Sequence, residues 1–123
     1  MVTFSRGTGA RAKAVVIDGI RFASQAEGRR YSELKLLEKA GQITNLTIHP
    51  KFEFVIDDEV LRDPTTNRKI TYSADFFYNE GEDVRVEDVK GWKKGKPIQT
   101  PEYRIKKALM WAIYLIKVIE VKA

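Results

Sequence analysis

The sequence predicts an α/β fold in which a mixed central β-sheet is flanked by two helices, and three features carry that reading. Apolar residues recur at helical spacing in two stretches, one opening at Ser24 and one at Thr100. Between them the chain turns β-branched and aromatic and is cut by clusters of Asp, Asn, Pro and Gly. The tail over 114–121 is β-branched again. The order is therefore helix, strands, hairpin, helix, strand, which suits helices packed on a mixed sheet.

Residues 1–13 hold Arg6, Gly7, Gly9, Arg11 and Lys13 among few apolar groups. Burial offers little against the entropy of ordering them, and a flexible basic arm is expected. With 123 residues in all and 43% of them apolar, the remainder, 14–123, suffices for one core and one domain. Ser24-Gln25-Ala26-Glu27 fits the S-x-x-E capping box, Leu34 and Leu37 continue a helical stripe, and Gly41 stops it. Ile43, Leu46, Ile48, Phe52, Phe54 and Ile56 then indicate one or two strands, broken at His49-Pro50. Asp57-Asp58-Glu59 and Asp63-Pro64-Thr65-Thr66-Asn67 are turn chemistry. Two strands over 69–78 and 83–90 form a hairpin around Asn79-Glu80-Gly81-Glu82. The stretch 91–99 reads as a loop carrying Lys93, Lys94 and Lys96. Thr100-Pro101-Glu102 opens the second helix with a cap, a first-turn proline and an acid at the positive dipole end. Its buried face is expected at Ile105, Ala108, Leu109 and Ala112, with Trp111 in the core.

Composition narrows the chemistry. There is no cysteine, which excludes disulfides, thiol catalysis and zinc-thiolate sites and leaves metals that accept oxygen ligands. His49 is the single histidine, so a Ser-His-Asp triad or a His-rich metal site has no support, and His49-Pro50 reads as a strand end. Neither a Walker loop nor G-x-G-x-x-G is present, so no nucleotide cofactor is expected. Lys and Arg number 22 against 17 Asp and Glu, a net charge of +5 that favours an anionic partner, nucleic acid first. An anionic membrane would attract it too. No apolar run approaches the roughly 18 residues of a spanning helix and no signal-type segment follows Met1, so a soluble, intracellular protein without membrane partner is expected.

The strand Val84-Arg85-Val86-Glu87-Asp88-Val89-Lys90 puts Val84, Val86, Asp88 and Lys90 on one face by its period of two. Glu87 takes the opposite face and reads as structural. In the paired strand Asp75 is the only ionised group of Tyr72-Ser73-Ala74-Asp75-Phe76-Phe77-Tyr78, where a carboxylate is costly unless a cation meets it. Two carboxylates on neighbouring strands with a lysine two residues on can hold Mg²⁺ while the ammonium orients a water. The same spacing also occurs on ordinary solvated strand faces, and both readings stand on spacing alone. Glu27 has two readings as well. It completes the cap at Ser24, or, lying near Ala23, Arg30 and Leu34 on the wheel, it faces the sheet.

The segments S-A-D-F-F and E-D-V-K-G resemble the paired motifs of the PD-(D/E)xK nuclease superfamily, with Ala74-Asp75 in place of P-D and Asp88-Val89-Lys90 as (D/E)-x-K. Over 22–121 the chain is similar to small phage and prophage proteins of a domain-of-unknown-function family and to phage Holliday junction resolvase-like endonucleases. That similarity also takes in F-A-S-Q-A-E-G-R-R-Y, H-P-K-F-E-F and the Tyr103-Arg104-Ile105-Lys106 helix. Alanine replaces a proline that supplies backbone shape and no ligand, and Asp88 reaches less far than the commoner Glu. The resemblance implies a restriction-endonuclease-like core and a Mg²⁺ or Mn²⁺ site formed by Asp75, Asp88 and Glu27. It further implies a catalytic Lys90, DNA as substrate, cutting of four-way junctions by a homodimer, and residence in the cytoplasm of a bacterial host.

Gln99 and Tyr103 resemble a Q-x-x-x-Y element that steadies the lysine and the DNA in some nuclease subfamilies. Residues 90–107 contain seven basic residues and one acid, so Lys93, Lys94, Lys96, Tyr103, Arg104, Lys106 and Lys107 are candidates for tracking a phosphate backbone, with Arg30 added from the first helix. Each could equally be a solvated surface residue, and Trp92 could stack on a base or anchor its loop. Beside the junction-cutting endonuclease stand a nicking or single-strand nuclease of the same fold, a non-catalytic nucleic-acid-binding protein and a basic phage assembly protein.

Overall fold

The computed structural model of the protein describes residues 2–4 and 13–123. In chain order the elements are β1 (Val2–Phe4), β2 (Lys13–Ile17), β3 (Ile20–Phe22), α1 (Gln25–Lys39), β4 (Thr44–Ile48), β5 (Lys51–Glu53), β6 (Val55–Ile56) and β7 (Glu59–Val60). They continue with β8 (Thr71–Ser73), β9 (Phe76–Glu80), β10 (Asp83–Lys90), β11 (Trp92–Lys93), β12 (Lys96–Pro97), α2 (Pro101–Tyr114) and β13 (Ile119–Lys122). The expected arm over 1–13 falls mainly outside the described residues; of it, Val2–Phe4 pairs antiparallel with β2.

The central sheet has the order β13-β10-β9-β4. β4, β9 and β10 are antiparallel to one another in turn, and β13 runs parallel to β10. A parallel neighbour needs a crossover, and α2 provides it. Alternation along β9 and β10 then gives each helix one face. Phe76, Tyr78 and Val89 pack with Phe22, Tyr31 and Leu34 on the α1 side, and Phe77 and Val86 pack with Tyr72, Tyr103 and Met110 on the α2 side. The expected mixed sheet between two helices is therefore present.

Local signals explain most boundaries. Ser24 caps α1 by accepting the Glu27 N–H at 3.1 Å, and Thr100 caps α2 by accepting the Tyr103 N–H at 3.1 Å, with Pro101 in the first turn. Asp18 and Gly19, both at positive φ, make the two-residue turn between β2 and β3. This hairpin lies against α1 where Gly28 removes a side chain: a Cβ there would meet Val15 Cγ2 at 2.7 Å.

Four expectations are corrected. The strand expected over 69–78 is two strands: β8 pairs with β5, the chain breaks at Ala74-Asp75, and β9 resumes against β4 and β10. In α2 the buried residues are Tyr103 and Met110, whereas Ile105 is 63% exposed, Trp111 is 55% exposed and Ala108 and Ala112 are exposed. The stripe that wins holds a tyrosine whose hydroxyl finds a carboxylate, and lysines 106 and 107 can border it because their ammonium groups reach Glu102 and Glu120. The tail starts its strand only at Ile119, because α2 runs to Tyr114 and ends on Leu115 in the left-handed region. The stretch 91–99 contains a short hairpin, β11–β12, turning at Lys94-Gly95.

Candidate active site

The break at Ala74-Asp75 builds the site. The Asp75 N–H donates to the Glu87 carbonyl at 3.0 Å and to Asp88 Oδ1 at 3.2 Å, and the Asp75 carbonyl accepts the His49 N–H at 2.9 Å. In return Asp75 Oδ2 accepts the Val89 N–H at 2.7 Å. Each carboxylate is thus held by the other's strand. Asp88, on the α2 face of β10, is buried and its Oδ2 accepts from the Tyr72 hydroxyl.

Both carboxyls titrate well above the ordinary aspartate range. For Asp75, burial is the main cause and the neighbouring Glu27 adds to it, against the Val89 N–H. Burial also dominates at Asp88, with Asp75 pushing the same way and the Tyr72 hydroxyl and the Lys90 charge opposing. Two desolvated carboxylates side by side favour a proton or a metal cation between them.

Glu27 reaches the same place from the first turn of α1. Its Oε2 accepts from Ser24 Oγ at 3.1 Å, so the cap orients the carboxylate and does not remove it from the site. One ligand atom each from Glu27, His49 and Asp75 lie within 4.8 Å of one another. The two readings of Glu27 are therefore compatible. His49 is the residue that sequence reasoning left out. It does end a strand, β4, but the antiparallel pairing of Ile48 with Phe76 puts His49 opposite Asp75. The donor cluster is then Glu27, His49 and Asp75, with Asp88 beside it through Asp75.

Lys90 ends β10 on the Asp88 face, and its Nζ sits 3.6 Å from the centre of the Tyr103 ring. Tyr103 is itself fixed: its hydroxyl donates to Glu120 Oε2 at 2.9 Å, and Glu120 also accepts from Gln99 Nε2 and from Lys107 Nζ. Tyr72, Ser73, Asp88, Lys90, Tyr103 and Lys106 line one shallow hollow. A larger hollow, along β13 around Trp92, Tyr114 and Ile119, includes neither Asp75 nor Asp88.

The candidate basic surface divides. Lys93, Lys94, Lys96 and Arg104 are exposed, the lysines on the β11–β12 hairpin. Lys106 pairs with Glu102 at 2.7 Å and Lys107 with Glu120 at 3.0 Å. Tyr103 is buried beneath Lys90, only 8% exposed. Arg30 is committed elsewhere: its Nε and Nη2 grip the two oxygens of Glu87 at 2.8 and 2.7 Å, and the Tyr78 hydroxyl joins the same carboxylate. Glu87 is buried and held by Arg30 and Tyr78 on the face of β10 opposite Asp88.

Fold and site define a small α/β protein with a carboxylate-centred site at the seam of its central strands. Residues 8–122 match the family described as a protein of unknown function, DUF1064, and the chain belongs to that family. No curated protein and no solved structure matches it. Among the described residues no helix is long and apolar enough to cross a membrane.

Proposed function

We propose that the protein is a metal-dependent DNA endonuclease with a restriction-endonuclease-like core, hydrolysing phosphodiester bonds in branched DNA such as four-way junctions and working as a homodimer. The observation that carries this reading is the mutual anchoring of Asp75 and Asp88, with Lys90 two residues beyond on the Asp88 face. Glu27 converges on Asp75 from α1.

Asp75, Asp88 and Glu27 would hold a Mg²⁺ or Mn²⁺ ion, and the donors fit it: all are carboxylates, Glu27 converges on Asp75, Asp88 is tied beside Asp75, and the burial of two of them is relieved by a cation. When bound, the ion supplies Lewis acidity at the phosphoryl oxygen and makes a water more acidic. Lys90, braced on Tyr103, donates to the attacking water and aims it at phosphorus. The water oxygen would form the new bond to phosphorus as the bond to the leaving sugar oxygen breaks; the water gives up one proton to solvent, and the leaving oxygen takes one up from solvent. Lys93, Lys94, Lys96 and Arg104, exposed and basic, suit contact with phosphates flanking the cut. Paired, symmetric cuts in a junction call for two such sites related by a two-fold axis.

The test is cleavage of labelled junction, flap, duplex and single-stranded DNA with Mg²⁺ and with Mn²⁺. Metal-dependent cuts, most frequent on the junction and absent in Asp88→Ala and Lys90→Ala, are expected. Binding of DNA by wild type without cleavage under either metal overturns the proposal.

A further inference from the structure

His49 stands in a left-handed backbone conformation, φ +53°, which a histidine adopts at some energetic cost. That conformation turns the chain sharply between β4 and the buried Pro50. The turn is pinned on both sides of the seam: the His49 N–H donates to the Asp75 carbonyl at 2.9 Å, and the Ala74 N–H donates to the Pro50 carbonyl at 3.0 Å. The imidazole also leans on the fully buried Phe22 ring, 5.9 Å between centroids. The fold sets the backbone of His49, the side chain itself is exposed, and among the described residues no side chain hydrogen-bonds to either ring nitrogen.

We infer that His49 is a ligand of the same cation as Glu27 and Asp75, and that its nitrogen makes the site select a first-row transition ion, Mn²⁺ as the accessible case, over Mg²⁺. One ligand atom of each of the three residues lies within 4.8 Å of the other two, a separation that a single ion can bridge after small side-chain adjustments. Mg²⁺ takes oxygen ligands in a strict octahedron and sheds water reluctantly, whereas imidazole nitrogen suits transition ions. With the His49 imidazole added to the carboxylates, the site therefore binds Mn²⁺ through nitrogen as well as oxygen and Mg²⁺ through the carboxylates only. The inference rests on the reading of Glu27 and Asp75 as metal ligands and does not depend on which DNA is cut.

The test loads the apo protein with Mn²⁺ and reads two signals, the Mn²⁺ and Mg²⁺ dissociation constants by calorimetry and nitrogen coupling to the Mn²⁺ electron spin by pulsed paramagnetic resonance. The variant is His49→Asn, since asparagine accepts the left-handed conformation and replaces the nitrogen donor with an oxygen. Wild type shows coupling to one imidazole nitrogen; His49→Asn loses it and weakens Mn²⁺ binding by about ten-fold or more, with Mg²⁺ binding changed by less than about three-fold. His49→Gln, if it folds with an unchanged circular dichroism spectrum, gives the same loss of coupling. Wild type that fails to bind Mn²⁺, binds it without nitrogen coupling, or keeps its Mn²⁺-to-Mg²⁺ ratio in His49→Asn overturns the inference. Metal-dependent cleavage without nitrogen coupling removes the inference and leaves the nuclease reading intact. Nitrogen coupling without cleavage of any DNA does the reverse.

Discussion

Asp75 and Asp88 hold each other through the backbone: the Asp75 N–H donates to Asp88 Oδ1 at 3.2 Å, and Asp75 Oδ2 accepts from Val89 N–H, next to Asp88, at 2.7 Å. Burial of these tethered carboxyls raises the affinity of each for protons, to a pKa of about 6 against an ordinary 3.8, with Glu27 adding to the effect at Asp75 and Asp75 adding to it at Asp88. Such a group binds protons more tightly folded than unfolded, so its contribution to stability is complete below about pH 4 and is lost as pH rises through about 6. In a chelator, Asp88→Asn should be more stable than wild type at pH 7.5, by on the order of 2 kcal/mol, with the gap closing near pH 4.5. The variant keeps its bonds, since the amide oxygen can accept from Asp75 N–H and its nitrogen can donate to Tyr72. Urea denaturation at the two pH values measures the gap. A gap of equal size at both would show that the two carboxyls do not strain the fold.

The chain of contacts from Glu120 through Tyr103 to Lys90 separates two roles of one ring. Tyr103→Phe removes the hydroxyl bond and keeps the aromatic face under the ammonium; Tyr103→Leu removes both. A cation over an aromatic ring contributes about 0.5–2 kcal/mol depending on its desolvation. Single-turnover cleavage is expected to fall less than about five-fold in the first variant and about ten-fold or more in the second, on the conversion of 1.4 kcal/mol per decade. Equal rates in the two variants would assign Tyr103 to packing alone.

How much of this could be read in the sequence depends on the range of the interaction. The caps at Ser24 and Thr100 and the pairing of β9 with β10 are local, and the S-x-x-E box, the Thr-Pro pair and the turn residues at Gly81 announce them. Strand alternation likewise separated Asp88 and Lys90 from Glu87 without any tertiary information. The Asp18-Gly19 turn, flanked by apolar residues, carries a local hairpin signal of the same kind. Three features depended on distant partners. The chain break at Asp75 follows from β8 choosing β5, which no local pattern encodes. His49 joins the site only once β4 is known to pair with β9, and a lone histidine before proline otherwise reads as a turn. The buried face of α2 followed Tyr103 because Glu120, 17 positions away in the sequence, offered its hydroxyl a partner.

Arg30 shows how a surface-looking charge can belong to the core. Glu87 is 1% exposed and both its oxygens are held by Arg30. Removing the cation leaves that carboxylate with only the Tyr78 hydroxyl, and breaking a buried pair in this way costs roughly 3–5 kcal/mol. Arg30→Ala should therefore destabilise the protein by about 3 kcal/mol. The double variant Arg30→Met with Glu87→Leu should recover most of the loss, because the buried charge has gone as well. A double-mutant cycle in urea measures both. If Arg30 instead served a phosphate, Arg30→Ala would leave stability near wild type and flatten the salt dependence of DNA binding.

Gly28 sets two effects of known size against each other. Alanine is favoured over glycine inside a helix by about 1 kcal/mol, and position 28 lies within α1. A Cβ there, however, would stand 2.7 Å from Val15 Cγ2 and 3.0 Å from Ile17 Cδ1. Isoleucine can turn its terminal methyl aside, but valine is stiff at its first torsion and Val15 is held in the β2–β3 hairpin, so β2 must move away from α1. Overpacking of this kind costs typically about 1–3 kcal/mol, more than the helix gains. Gly28→Ala should thus lower stability by about 1 kcal/mol net, and Val15→Ala added to it should restore the loss by giving the new methyl room. Denaturation midpoints of the two single variants and the pair decide the matter. A stabilised Gly28→Ala would mean that the hairpin yields to the helix, and the contact between β2 and α1 would then be softer than its 2.7 Å geometry requires.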